Sequence, residues 1–123
     1  MNLDCCHFGL QVASLDQARH FYVDALALTV LQDMPAMGLL AVRAGGVRLS
    51  IFEVPAPTLI PEGSIILRTD NLDQFVAVLA DAGIAPEGHV HEAPGFMRYI
   101  ILRDPSGNPI GIAEYQRDPL AAV

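Results

Sequence analysis

Apolar and polar residues partly alternate along 6–12, which predicts a strand. Ser14 followed three positions later by Gln17 is a capping-box pattern that opens a helix. Ala18, Phe21, Tyr22, Ala25 and Leu26 then recur at spacings of three and four, on one face of that helix. Strands are expected at 29–32, 38–43 and 47–53, with Gly45-Gly46 as a tight turn between the last two. Pro55, Pro57 and Pro61 punctuate the next segment and mark it as a linker. The same order then returns: a strand at 64–69, a cap formed by Asn71 with Gln74, and a helix burying Leu72, Phe75, Val76 and Leu79. Gly83 is placed to end that helix. Strands at 85–91, 96–103 and 110–115 complete the pattern, and Asp104-Pro105-Ser106-Gly107-Asn108 has the residues of a hairpin turn.

The two halves are related in sequence as well as in pattern. Leu15-Asp16-Gln17 recurs as Leu72-Asp73-Gln74, and the same offset carries Asp24-Ala25 onto Asp81-Ala82. A long unit occurring twice indicates duplication within one domain rather than a solenoid. The chain thus reads as a single α+β domain over 1–123. It comprises a βαβββ module at 5–54, a linker at 55–63, a second βαβββ module at 64–116 and a mobile tail at 117–123. Two four-stranded antiparallel sheets, with helices on the outside, are expected to curl around a cleft of the kind small molecules occupy.

Composition narrows the guests. At 123 residues, 52% of them apolar, the chain can bury a real core and is unlike a disordered segment. No apolar run approaches the ~18–20 residues of a membrane span, and no signal-peptide pattern is present, so a cytoplasmic protein without a membrane partner is expected. A net charge of −7 without a compensating Lys/Arg cluster disfavours nucleic acid and favours a neutral or cationic small molecule. The apolar excess points to surface buried in a homodimer. Cys5 and Cys6 are sequence neighbours that cannot form an ordinary bridge, which fits a reducing compartment.

Two stretches carry a resemblance. One is His7-Phe8-Gly9-Leu10-Gln11-Val12 with Leu15-Asp16-Gln17-Ala18-Arg19-His20-Phe21-Tyr22 and Ala25-Leu26-Ala27-Leu28. The other is Arg103-Asp104-Pro105-Ser106-Gly107-Asn108. Together they resemble the vicinal oxygen chelate superfamily, the glyoxalase/bleomycin-resistance/dioxygenase group, over nearly all of 5–116. The resemblance implies four metal-ligand positions on inner strands. Here they fall on His7, Ser50, Ser64 and Gly111, so that one of the four keeps a ligand.

A catalytic divalent ion needs about three donors drawn from His, Glu, Asp or Cys. Serine is a poor substitute and glycine has no side chain. No metal site and no cofactor are therefore expected, the alternative being one divalent metal ion. Glu53 and Glu114 lie three positions from Ser50 and Gly111, so regular strands turn both to the opposite face unless a bulge intervenes.

His89 and His91, two apart and near Glu92, read as a solvated pair at a strand end, with zinc binding as the sharper alternative. Cys5 shares the face of His7 and reads as a small buried cysteine. The expected pocket lining is His7, Ser50, Phe52, Ser64, Arg68, Gly111 and Tyr115, with His7 as the candidate acid or base. Met34-Pro35-Ala36-Met37-Gly38-Leu39-Leu40 is an apolar stretch suited to ligand or subunit contact.

The leading reading is a metal-free protein that sequesters a small molecule, as the antibiotic-binding branch of the resembled group does. The alternative is a lyase, isomerase or ring-cleaving dioxygenase using a remodelled metal site or His7. A third is a regulatory subunit with a vestigial cleft.

Overall fold

The computed structural model of the chain describes residues 2–122; Val123, the end of the expected tail, lies outside them. The chain divides into two compact units, Met1–Ile60 with Asp104–Asn108, and Pro61–Arg103 with Pro109–Val123.

In the first unit, β1 (His7–Val12) leads through α1 (Leu15–Arg19) to β2 (Thr29–Met34), β3 (Leu39–Ala44) and β4 (Val47–Glu53). The sheet order is β1-β4-β3-β2. Its pairing is mixed, not wholly antiparallel as expected, because β1 lies parallel to β4. The helix returns the chain to the starting end of β1 before β2 begins. Two reversals later, β4 therefore runs in the direction of β1.

Ser14 caps α1 as its spacing predicts, its side chain accepting from the Gln17 amide at 3.2 Å. The helix is not regular to Leu26, however: after Arg19 it widens into a π-type segment, His20–Ala25. That wider turn seats the adjacent Phe21 and Tyr22 both inward, with rings edge to face at 4.8 Å. On β1, β3 and β4 the alternate residues Leu10, Val12, Leu40, Val42, Leu49 and Ile51 are buried. Each such aliphatic side chain contributes about 1.5–3 kcal/mol of burial free energy.

The second unit repeats this plan with β5 (Ile66–Arg68), α2 (Leu72–Asp81), β6 (Glu87–Ala93), β7 (Met97–Arg103) and β8 (Pro109–Tyr115), in the order β5-β8-β7-β6. Again the first strand of the module pairs parallel to the last. Asn71 caps α2 by accepting from the Gln74 amide at 3.0 Å, and Gly83 follows the helix with φ +77°. Strand β5 is shorter than expected, because Pro61–Ser64 closes as a turn in which the Ser64 amide donates to the Pro61 carbonyl at 3.2 Å. Among the described residues no helix is long and apolar enough to cross a membrane.

The apolar stretch at 34–40 ends β2, makes a 3-10 turn at Pro35–Met37 and starts β3, with Met37 exposed. Gly38 ends the turn at φ +63°, where an added Cβ would stand 3.3 Å from the Glu53 carbonyl oxygen. Left-handed backbone costs an L-residue roughly 1–2 kcal/mol, and the neighbour here is main chain that cannot swing away. Gly38→Ala is expected to lower unfolding free energy by about 1–2 kcal/mol in urea titration. An unchanged midpoint would contradict the conformation assigned to this turn.

Candidate functional site

Strand alternation places His7, Gly9 and Gln11 on the face of β1 opposite the buried Leu10 and Val12. On β4 their neighbours in register are Arg48, Ser50 and Phe52. Ser50 is 2% exposed and forms the centre of a polar group. Its hydroxyl accepts from Arg48 Nε at 3.1 Å and shares a hydrogen bond with His7 Nε2 at 2.9 Å. Arg48 Nη2 also donates to Gln32 Oε1 at 2.5 Å. Phe52 is exposed beside Gly9, where an added Cβ would lie 3.5 Å from its ring and 3.7 Å from the His7 ring. Of the residues picked from sequence, His7, Ser50 and Phe52 are thus brought together. Arg48 and Gln32 were missed. The signal for Arg48 was its place two residues before Ser50, hence on the same face.

The second unit contains a cavity of about 330 Å³ lined by Glu62, Ile66, His91, Met97, Tyr99 and Ile101, with the buried Gly111 among its walls. A Cβ on Gly111 would meet Ile66 Cγ1 at 3.1 Å, so a side chain there would have to displace Ile66 by a few tenths of an ångström. Arg68 and Tyr115 share the face of Gly111 by register, but neither lines the cavity, and Tyr115 packs edge to face on Phe96 at 5.5 Å. Ser64 is exposed in the turn before β5, so the strand that was to aim it inward does not include it.

Two further expectations fail in the structure. His91 is no solvated strand-end residue: it is half-buried, stacked on Tyr99 at 4.9 Å and tilted against His89 at 4.6 Å. Past the shift in register between Glu87 and His91, His91 stands directly opposite Tyr99, a pairing that residue spacing does not reveal. Cys5 is exposed rather than buried, because β1 begins only at His7; both cysteines are free.

Glu53 and Glu114 have a structural use, and it is the same in each unit. Glu53 Oε2 accepts from the Leu15 amide at 2.8 Å, and Glu114 Oε1 accepts from the Leu72 amide at 3.0 Å. Each carboxylate satisfies an otherwise unpaired donor at a helix start and lies against the positive end of the helix. No bulge turns either one toward Ser50 or Gly111. Glu53→Ala and Glu114→Ala are each expected to cost about 1 kcal/mol in chemical denaturation. Neither is expected to alter metal content; a metal lost with either carboxylate would contradict the capping role.

Among the described residues no three His, Cys, Asp or Glu side chains are grouped to hold a metal ion. Residues 6–112 match the family model of the Glyoxalase/Bleomycin resistance protein/Dioxygenase superfamily. No curated protein matches the chain. Among solved structures, the antibiotic binding protein TnmS3 from Streptomyces sp. CB03234 is 28% identical with a TM-score of 0.75, over 94% of this chain and 98% of that one. A glyoxalase/bleomycin resistance protein from the same organism is also 28% identical, with a TM-score of 0.70, over 90% of this chain and all of that one. Lactoylglutathione lyase from Agrobacterium tumefaciens is 22% identical with a TM-score of 0.75, over 92% and 94% of the two chains, a likeness of fold.

Proposed function

The chain belongs to the glyoxalase/bleomycin resistance protein/dioxygenase superfamily, and from its residues we propose that it binds a small organic molecule without a metal ion and without transforming it. Fold alone does not decide this, since the same scaffold carries a lyase and an antibiotic binding protein. One observation carries the reading. The hydroxyl at position 50 is held by the Arg48 guanidinium at 3.1 Å, and the same hydroxyl engages His7 Nε2 at 2.9 Å. A guanidinium is always charged, so the place that would receive a divalent cation already has a fixed cation beside it.

The remaining positions support the same reading. Ser64 and Gly111 offer no strong donor, Ile66 stands close against position 111, and both nearby glutamates cap helices. These residues do not fit a catalytic divalent ion. The 28% identity to an antibiotic binding protein over most of both chains supports binding over catalysis. In this reading His7 is a ligand contact, placed with Phe52 and Gly9 where a guest can reach both rings.

The test is a thermal-shift screen of aromatic and antibiotic-like compounds, run with and without EDTA, with recovery of each hit from the protein afterwards. Binding of a ligand at a hundredfold its Kd stabilises the native state by about 2.7 kcal/mol, a readily measured shift. The expected result is a shift that EDTA leaves unchanged and a ligand recovered intact. Product formation that disappears in His7→Ala, with binding retained, would overturn the proposal in favour of a lyase, isomerase or dioxygenase.

A further inference from the structure

The sheet face that holds His7 and Ser50 carries a charge pattern opposite to that of the whole chain. In register across three strands stand His7 of β1, Arg48 of β4 and Arg43 of β3. Two arginines directly opposite one another on neighbouring strands repel, and such pairs are destabilising unless something compensates. The chain has acidic residues to spare, 14 against 7 basic ones. It uses them elsewhere: Arg19 pairs with Asp16 and Asp33, Arg98 with Asp73, and Arg103 with Glu87.

Arg43 and Arg48 have no carboxylate partner among the described residues. The residues sharing their face on β1, β3 and β4 are His7, Gly9, Gln11, Leu39, Ala41, Ser50 and Phe52, and none is acidic. Asp33 of β2 and Glu53 of β4, the acidic residues of this sheet, are engaged by Arg19 and by the start of α1.

Arg48 is also held ready. Its Nε and Nη2 donate to two neutral acceptors, Ser50 Oγ and Gln32 Oε1, which fix the plane of the fork without neutralising it. Among the described residues its Nη1 donors have no protein acceptor. Next to this cation the face turns apolar, with Phe52 exposed and Gly9 leaving the Phe52 ring uncovered.

Resting on the binding reading above, we propose that this face receives an organic oxyanion, a carboxylate or phosphate bound by Arg48 and Arg43 with its apolar body against Phe52 and Gly9. The bound anion would supply the countercharge that the protein withholds, and would relieve the repulsion of the two guanidiniums. The overall charge of −7 favours a cationic guest only at long range; at contact distance the nearest fixed charges decide.

The experiment is an NMR titration of the full ¹⁵N-labelled chain at low ionic strength with benzoate, phenyl phosphate and benzylammonium, which share one ring and differ in charge. The expected result is that an anion shifts amides at 41–43 and 48–52 while benzylammonium does not. Arg48→Met should weaken that anion about tenfold and the exposed Arg43→Met about fivefold, since charge-assisted hydrogen bonds are lost. Response to benzoate alone, to phenyl phosphate alone or to both sustains the proposal and identifies the oxyanion. Benzylammonium shifting these amides as strongly, or anion affinity unchanged in both variants, would overturn it while leaving the binding reading intact. No response to any probe would overturn it as well. Anion binding that appears only after addition of zinc would overturn both.

Discussion

Asp104→Ala is expected to remove about 4 kcal/mol or more of stability, the largest effect of any single substitution considered for this chain. One buried carboxylate accepts four hydrogen bonds: from the Tyr22 hydroxyl at 2.7 Å, the Ser106 amide at 3.0 Å, the Asn108 amide at 2.8 Å and Asn108 Nδ2 at 2.9 Å. Tyr22 and Asn108 are fully buried, so donors orphaned there regain no water. Each such orphan costs roughly 1–3 kcal/mol. Asn108 extends the network by donating to the Gln11 carbonyl at 2.8 Å and accepting from the Ile60 amide at 3.0 Å. The loss should thus be felt well beyond the turn. Asp104→Asn, which keeps one acceptor oxygen, should fall between wild type and Asp104→Ala in urea denaturation. A loss below about 1 kcal/mol for Asp104→Ala would contradict the network.

The second large effect is on the alkaline side. Tyrosine ordinarily ionises near pH 10. Burial first, and then the charge and hydrogen bond of Asp104, push the Tyr22 phenol well above that value. A group whose folded-state pKa is raised contributes stability in full below its unfolded value and loses it as pH rises. Above about pH 10 the unfolded chain releases the Tyr22 proton while the folded chain keeps it, so stability falls by about 1.4 kcal/mol per pH unit. At pH 11.5 the expected loss is roughly 2 kcal/mol. Tyr22→Phe removes this slope. It should be less stable than wild type below pH 10, by about 1.5–3 kcal/mol for a hydrogen bond to a carboxylate, and the two stability curves should converge above it. Parallel curves from pH 9 to 11.5 would contradict the role given to this phenol.

Both effects concern residues whose partners lie far apart in the chain, and that distance marks what sequence could disclose. Elements were legible because their signals are local: Ser14 with Gln17 and Asn71 with Gln74 cap the helices they announce. The repeat foretold that the second unit would copy the first, and it does so down to a glutamate that caps each helix. Strand alternation also told correctly that Glu53 and Glu114 turn away from Ser50 and Gly111. Parallel pairing of β1 with β4 was not legible, because alternation fixes a strand's faces and not its neighbours.

The register brings together His7, Ser50 and Phe52, three of the residues expected from sequence, with Arg48, which sequence did not single out although it shares their face. Sequence misjudged His91, whose stacking on Tyr99 depends on an irregular register that no residue pattern encodes. Ser64 was misplaced because the turn at Pro61–Ser64 shortens β5, and Tyr22 with Asp104 went unpaired because 82 positions separate them.

The central claim, that this site works without a metal, is tested most directly by metal content. Untagged protein, purified without chelators and incubated in turn with zinc, nickel, manganese and ferrous iron, would be desalted and measured by mass spectrometry. The guanidinium beside Ser50 and the loss of three of four ligand positions predict only trace metal in every case. Close to one tightly held ion per chain would contradict the account and require the donors to be sought elsewhere, beginning with His89 and His91.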